Sequence, residues 1–372
     1  MIRILKLHLS ALLCFTATAS ADTHHFYIGT YTGGDTGSKG IYTSTFDDET
    51  GAVTDAVLVA ETPSPSFLAV RPDGKFLYAV NESGEGSVSA FRITDEKGGL
   101  EHLNTKSSHG GAPCHIQVSA NGEFALFANY MGGNAGVYAI KGDGSLGKRT
   151  ALVQHTGKPA NPRRQKGPHA HCIMLDAGNR FAMVADLGLD KVFVYQFDAS
   201  AGTLTPAKEP FAEVAPVHGP RHLAIHPSEE FVFVLNEITR DVTTFAYGNK
   251  TGILMKKGTV STLPEGAPAE GSTAEIFVHP NGKFVYASNR GHDSIAVFSV
   301  NEKNGELTQI QVQKTGGKTP RSFAIAPGGK FLLAAGQNDT SIRVLALNPE
   351  TGFLKPTTHG TFAPAPVCIL FP

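Results

Sequence analysis

Side chains able to grip an anion or move a proton recur at matching places along this sequence: His171, Arg221, Glu237, Glu275, Arg290, Arg321 and Gln337. A phenylalanine defines each place. Ten residues before Phe76, Phe124, Phe181, Phe231, Phe284 and Phe331 stand Ser66, Cys114, His171, Arg221, Ala274 and Arg321, with His115 and Glu275 one place later in their own copies. Five and six residues after stand Asn81-Glu82, Asn129-Tyr130, Asp186-Leu187, Asn236-Glu237, Asn289-Arg290 and Gly336-Gln337. A histidine, two carboxylates and three arginines in one concave site would suit a carbonyl or anionic substrate. Guanidiniums hold oxygens in pairs and stabilise an oxyanion, while His or Glu carries a proton. The competing reading is structural: Arg221–Glu237 and Glu275–Arg290 as ion pairs closing a channel, which leaves His171 and Arg321 at the same rim unexplained.

What must position these residues is a repeated strand pair. Eight before each Phe the chain has Leu68, Ile116, Ile173, Leu223, Ile276 and Phe323; six before, it has Val70, Val118, Leu175, Ile225, Val278 and Ile325. That alternation marks a half-buried strand, and a turn such as Pro227-Ser228-Glu229 leads into a second strand beginning at the Phe. An antiparallel hairpin brings Arg221 and Glu237 to the same sheet edge. A further strand follows each pair and ends on Gly-x-(Leu/Val), at Gly51, Gly98, Gly144, Gly202, Gly252, Gly305 and Gly352. Seven such turns at a period of roughly 50 residues imply seven copies of a unit too small to cover its own sheet. Closed radial stacking follows, so the expectation is all-β: a seven-bladed β-propeller of four-stranded blades in one domain over 22–372. The N-terminal copy lacks its first strand and the chain ends on the strand-like 365–370, which would complete that blade and clasp the ring. With no Trp the chain is not a WD40 array.

Residues 1–21 read as a signal peptide. Arg3 and Lys6 precede an apolar run from Leu7 to Phe15, and Ala19-Ser20-Ala21 offers a small-residue cleavage site. The run is too short to span a bilayer, so a periplasmic or secreted protein starting near Asp22, without a membrane anchor, is expected. A net charge of −1 argues against nucleic acid or a membrane surface as partner. Beyond the leader only Cys114, Cys172 and Cys368 remain, an odd number without CxxC spacing, so they are read as small buried hydrophobes. His169 and His171 could share a metal, yet no third ligand declares itself, and no Gly-x-Ser-x-Gly elbow is present. Gly33–Gly37 is read as a hairpin loop. The basic stretch Asn161–Lys166, with Arg163 and Arg164, leads straight into His169 and His171, where it could hold a phosphate or carboxylate over the site; a solvated loop is the preferred reading.

At Gly219-Pro220-Arg221-His222 with Val234-Leu235-Asn236-Glu237, at Ala287-Ser288-Asn289-Arg290, and at Pro320-Arg321-Ser322-Phe323 with Ala334-Ala335-Gly336-Gln337, the sequence resembles the seven-bladed propeller lactonase family. That family includes bacterial 6-phosphogluconolactonase and the fungal carboxy-muconate lactonizing enzyme, and the likeness covers nearly all of the chain beyond the leader. It implies an active site of one His, one Arg, one Glu and a second Arg, here His171, Arg221, Glu237 and Arg290. His115, His169, Glu275, Arg321 and Gln337 are expected to bind substrate. A sugar lactone would be hydrolysed by a monomer without metal or cofactor. Export sets the chain apart from cytosolic enzymes of phosphorylated lactones and points to an unphosphorylated aldonolactone such as gluconolactone. The alternatives are lactonizing cycloisomerisation of a muconate, and a non-catalytic propeller that binds a protein or glycan.

Overall fold

A computed structural model describes residues 22–268 and 270–372. The expected signal peptide lies outside them. The described residues form seven four-stranded antiparallel sheets. Six are built from consecutive strands, as in the fifth blade: Pro220–Ile225, Phe231–Asn236, Asp241–Gly248 and Ile253–Ser261. In the first blade the C-terminal strand Pro366–Leu370 pairs with Thr23–Thr30 and takes the innermost place, as expected. Each innermost strand touches the next, and Pro366–Leu370 lies between those of blades 7 and 2, so the ring closes.

No blade owns a core. Each of the seven apolar clusters is shared by two neighbouring blades. One feature of these interfaces joins two rows of the sequence repeat. The turn glycine of each blade rests on the Phe that opens the second strand of the blade before it: Gly144 on Phe76, Gly202 on Phe124, and around to Gly51 on Phe331. Gly144 has φ +86°, which disfavours a side chain, and a Cβ there would lie 2.0 Å from Phe76 Cδ1. Gly98 meets His25 instead, which shows that His25 stands where six other blades carry Phe. The stretch 33–37 is, as expected, the loop of the hairpin between Thr23–Thr30 and Gly40–Asp47, with a short 3-10 turn at Gly34–Thr36.

The innermost strands are not regular. Their pairing slips near the mouth of the channel, between Pro65 and Phe67, Pro113 and His115, Ala170 and Cys172, Pro220 and His222, Thr273 and Ile276, and Pro320 and Ser322. The extra residue at five of these β-bulges is Ser66, Cys114, His171, Arg221 or Arg321. A bulge bends its strand and re-aims the side chain it carries. The row ten places before each Phe is thus a row of bulged residues.

Candidate active site

At that end of the channel the bulged residues meet the residues six places after each Phe. A cavity of about 160 Å³ forms between them. His171, Arg221 and Arg321 come from the bulges, Arg290 from the last position of a second strand, and Glu82, Tyr130 and Glu237 from the residue just past one. Six blades contribute, so the side chains surround the cavity. The asparagines five places after Phe serve another purpose. Asn81, Asn129 and Asn289 are buried and bond loop carbonyls at Pro63, Ser108 and Thr262, tying down the segments at the ends of these strands.

Glu237 is the hub. Its carboxylate accepts hydrogen bonds from Arg221 Nη1 and Arg164 Nη2, and Arg290 Nη2 lies 3.1 Å from Oε2. Burial alone would raise its carboxyl, but Arg221, Arg290 and Arg164 together bring it down to about 2. Arg290 is therefore paired with the neighbouring blade's carboxylate, not with Glu275 of its own hairpin. Glu275 sits one place past the bulge row, deeper in the channel, and bonds His222 Nδ1 at 2.7 Å. Arg221 and Arg290 are held from behind by backbone carbonyls, Ala274 O and Thr273 O, both at 2.9 Å. Burial and the charge of Arg221 lower Arg290 to about 9.

Arg164 corrects the reading of its loop. It reaches over the mouth to Glu237 and to Tyr130 Oη at 3.1 Å. The neighbouring Gln165 anchors that loop from a buried position, donating to Leu187 O at 2.9 Å and Asp190 Oδ1 at 2.8 Å. Nothing in a basic tetrapeptide distinguishes this from a solvated loop except the buried glutamine. Tyr31 was also missed: it occupies the place six after His25, donates from Oη to Glu82 Oε2 at 2.9 Å and lies under the Arg321 guanidinium at 5.0 Å. Glu82 and Tyr130 stood in the same row as Glu237 and Arg290, and that shared register was their signal.

His171 lines the cavity with only 4% of its surface exposed. Burial, then Arg221, His222 and Arg321, hold it well below the ordinary histidine range, so it is neutral at physiological pH. Its Nδ1 lies 3.6 Å from Cys114 Sγ, and Nε2 has no hydrogen-bond partner among the described residues. His169 lies outside the cavity lining. Its ring stacks on Tyr130 at 4.3 Å while Nδ1 bonds Tyr130 O at 2.9 Å, so it buttresses that residue. His115 and Glu275 line a deeper chamber, and Gln337 lines neither. Cys114, Cys172 and Cys368 are buried free thiols, as expected. No group of three His, Cys, Asp or Glu among the described residues could hold a metal ion.

The mouth thus carries four guanidiniums, Arg164, Arg221, Arg290 and Arg321, against two carboxylates, Glu82 and Glu237, around one neutral imidazole. Surplus positive charge with low exposure is suited to stabilising an oxygen that becomes anionic during reaction. The volume suits a single small ring; drug-sized clefts run to roughly 300–1,000 Å³.

The chain belongs to the family of seven-bladed β-propeller lactonases, whose sequence pattern matches residues 25–371. Among relatives, it is 35% identical to a 6-phosphogluconolactonase of Bacillus subtilis over 93% of this chain and 97% of that protein. Among solved structures, a periplasmic gluconolactonase of Pseudomonas aeruginosa is 30% identical, with TM-score 0.88, covering 94% of this chain and 99% of that one. A Bacteroides fragilis protein described as a candidate 6-phosphogluconolactonase is 35% identical, with TM-score 0.87 and coverage of 94% and 98%.

Proposed function

We propose that this protein hydrolyses the ring ester of a sugar lactone to the aldonic acid, and that its substrate is an unphosphorylated aldonolactone such as gluconolactone. The observation that carries the reading is the mouth cavity, where a neutral histidine faces surplus guanidinium charge. Arg221 and Arg290 receive the lactone carbonyl oxygen. His171 Nε2 takes a proton from a water as the water oxygen bonds to the carbonyl carbon, and the carbonyl oxygen becomes an oxyanion against the two guanidiniums. The intermediate collapses, the bond from that carbon to the ring oxygen breaks, and the ring oxygen takes the proton from His171. Glu237 holds both arginines in place. Arg321, Glu82 and Tyr130 offer donors and acceptors to the sugar hydroxyls.

Two observations support the unphosphorylated substrate: the leader-like residues 1–21, and the likeness to a gluconolactonase described as periplasmic. Export to the periplasm is part of the same proposal. The test is a pH-stat comparison of gluconolactone and 6-phosphogluconolactone with purified protein starting at Asp22. Faster turnover of gluconolactone is expected. A preference for the phosphorylated lactone overturns the substrate, and turnover of neither overturns the activity.

A further inference from the structure

The channel holds a second chamber. Beneath the mouth, Phe67, His115, His222 and Glu275 form a layer of side chains, and beyond it a cavity of about 470 Å³ runs toward the opposite end of the ring. This volume falls in the range of sites for small organic ligands. Two residues further along the same strands, on the same face, lie Ala69, Gln117, Ala224 and Phe277, with Met174 beside them. Gln117 Oε1 accepts from the Leu175 N–H at 2.7 Å, so apart from the Gln117 Nε2 donors the side chains of these walls are apolar.

The ceiling is polar and incompletely paired. Glu275, His222 and His115 are each more than nine-tenths buried. Glu275 Oε1 pairs with His222 Nδ1 at 2.7 Å and the Ile276 N–H at 3.1 Å, while Oε2 has no partner among the described residues. His222 Nε2 is buried without a partner. The Ile173 N–H points at His115 Nδ1 at 3.5 Å, which leaves the proton on Nε2, and Nε2 has no protein partner among the described residues. Glu275 Oε2 and His115 Nε2 thus head an otherwise largely apolar chamber with bonding capacity to spare, which favours a ligand that pairs with both. A carboxylate would face Glu275. A cation would lie close under Arg221 and Arg321, whose charges act on Glu275. A polyol would leave hydroxyls unpaired against the walls. A single hydroxyl both donates and accepts.

We propose that this chamber binds a small neutral alcohol or phenol, its hydroxyl donating to Glu275 Oε2 and accepting from His115 Nε2–H, its apolar body against Met174, Ala224 and Phe277. Burial raises the Glu275 carboxyl to about 7, with the Ile276 N–H, His115, Arg221 and Arg321 opposing, so both protonation states occur near neutrality. A hydroxyl can pair with either.

The test is calorimetric titration of the full chain with 4-ethylphenol, using ethylbenzene as the ligand without a hydroxyl. Saturable binding of the phenol is expected, at least tenfold tighter than ethylbenzene and undiminished by saturating gluconate at the mouth. Ala69→Phe, on the face that lines the chamber, abolishes it while lactone hydrolysis continues at the original rate. Methyl-labelled methionine provides a readout without any variant: a nuclear Overhauser contact from the phenol to Met174. No saturable binding, competition by gluconate, or contacts only to the exposed Met131 and Met255 would overturn the proposal.

Discussion

Glu237→Gln keeps the shape of the hub and removes its charge. In the native protein the carboxyl stands at about 2 instead of its ordinary 4.5. At ~1.4 kcal/mol per pKa unit, that depression corresponds to about 3 kcal/mol of favourable interaction with the charged form. Breaking one side of a buried ion pair costs ~3–5 kcal/mol in general, so the two routes agree on about 3 kcal/mol. The sign is set by the direction of the shift. A carboxyl with a depressed folded pKa contributes stability that is fully present above about 4.5 and is lost as pH falls toward about 2. Urea unfolding of the native protein and the variant should therefore differ by about 3 kcal/mol at pH 7, and the difference should shrink across pH 4.5 to 2. Activity should fall as well, because Arg221 and Arg290 lose the carboxylate that orients them and face each other's charge uncompensated. A variant within 1 kcal/mol of the native protein at pH 7, with a parallel acid profile, would refute the argument that Glu237 balances the guanidiniums.

Three further outcomes are expected. His171→Ala should lower kcat on gluconolactone by ~10²–10⁴ with an unchanged thermal midpoint, and a native rate would remove its role as base. The pH-rate profile should hold level between pH 6.5 and 8, since His171 protonates only well below 6.5; a half-maximal point near pH 6.5 would contradict the lowered histidine. Gly144→Ala should destabilise the ring by ~2–4 kcal/mol through its left-handed backbone and its collision with the Phe76 ring, and Phe76→Ala in the same chain should relieve the collision without restoring full stability.

The two rows of apolar residues, the Gly-x-(Leu/Val) turns and the leading phenylalanines are local and repeated. The turns recur seven times and the other rows six, enough to set the blades, the ring and the closing role of the last strand. A strand buries one face, and that requirement is written residue by residue. His171, Arg221, Glu237, Arg290 and Arg321 were legible for the same reason: equal register in equal units places them at one level of the channel. Tyr31 escaped because its blade starts on His25, and the missing Phe hid the register. Arg164 lies in a loop with no repeat to index it, and only the tertiary anchoring of Gln165 carries it over the mouth. The partner of Arg290 could not be read from its own hairpin, since Glu275 stands one place past the bulge row and bonds His222, while Glu237 of the neighbouring blade lies 3.1 Å from Arg290. Periodicity specifies level and face; it contains no distances between blades, and those decide which guanidinium meets which carboxylate.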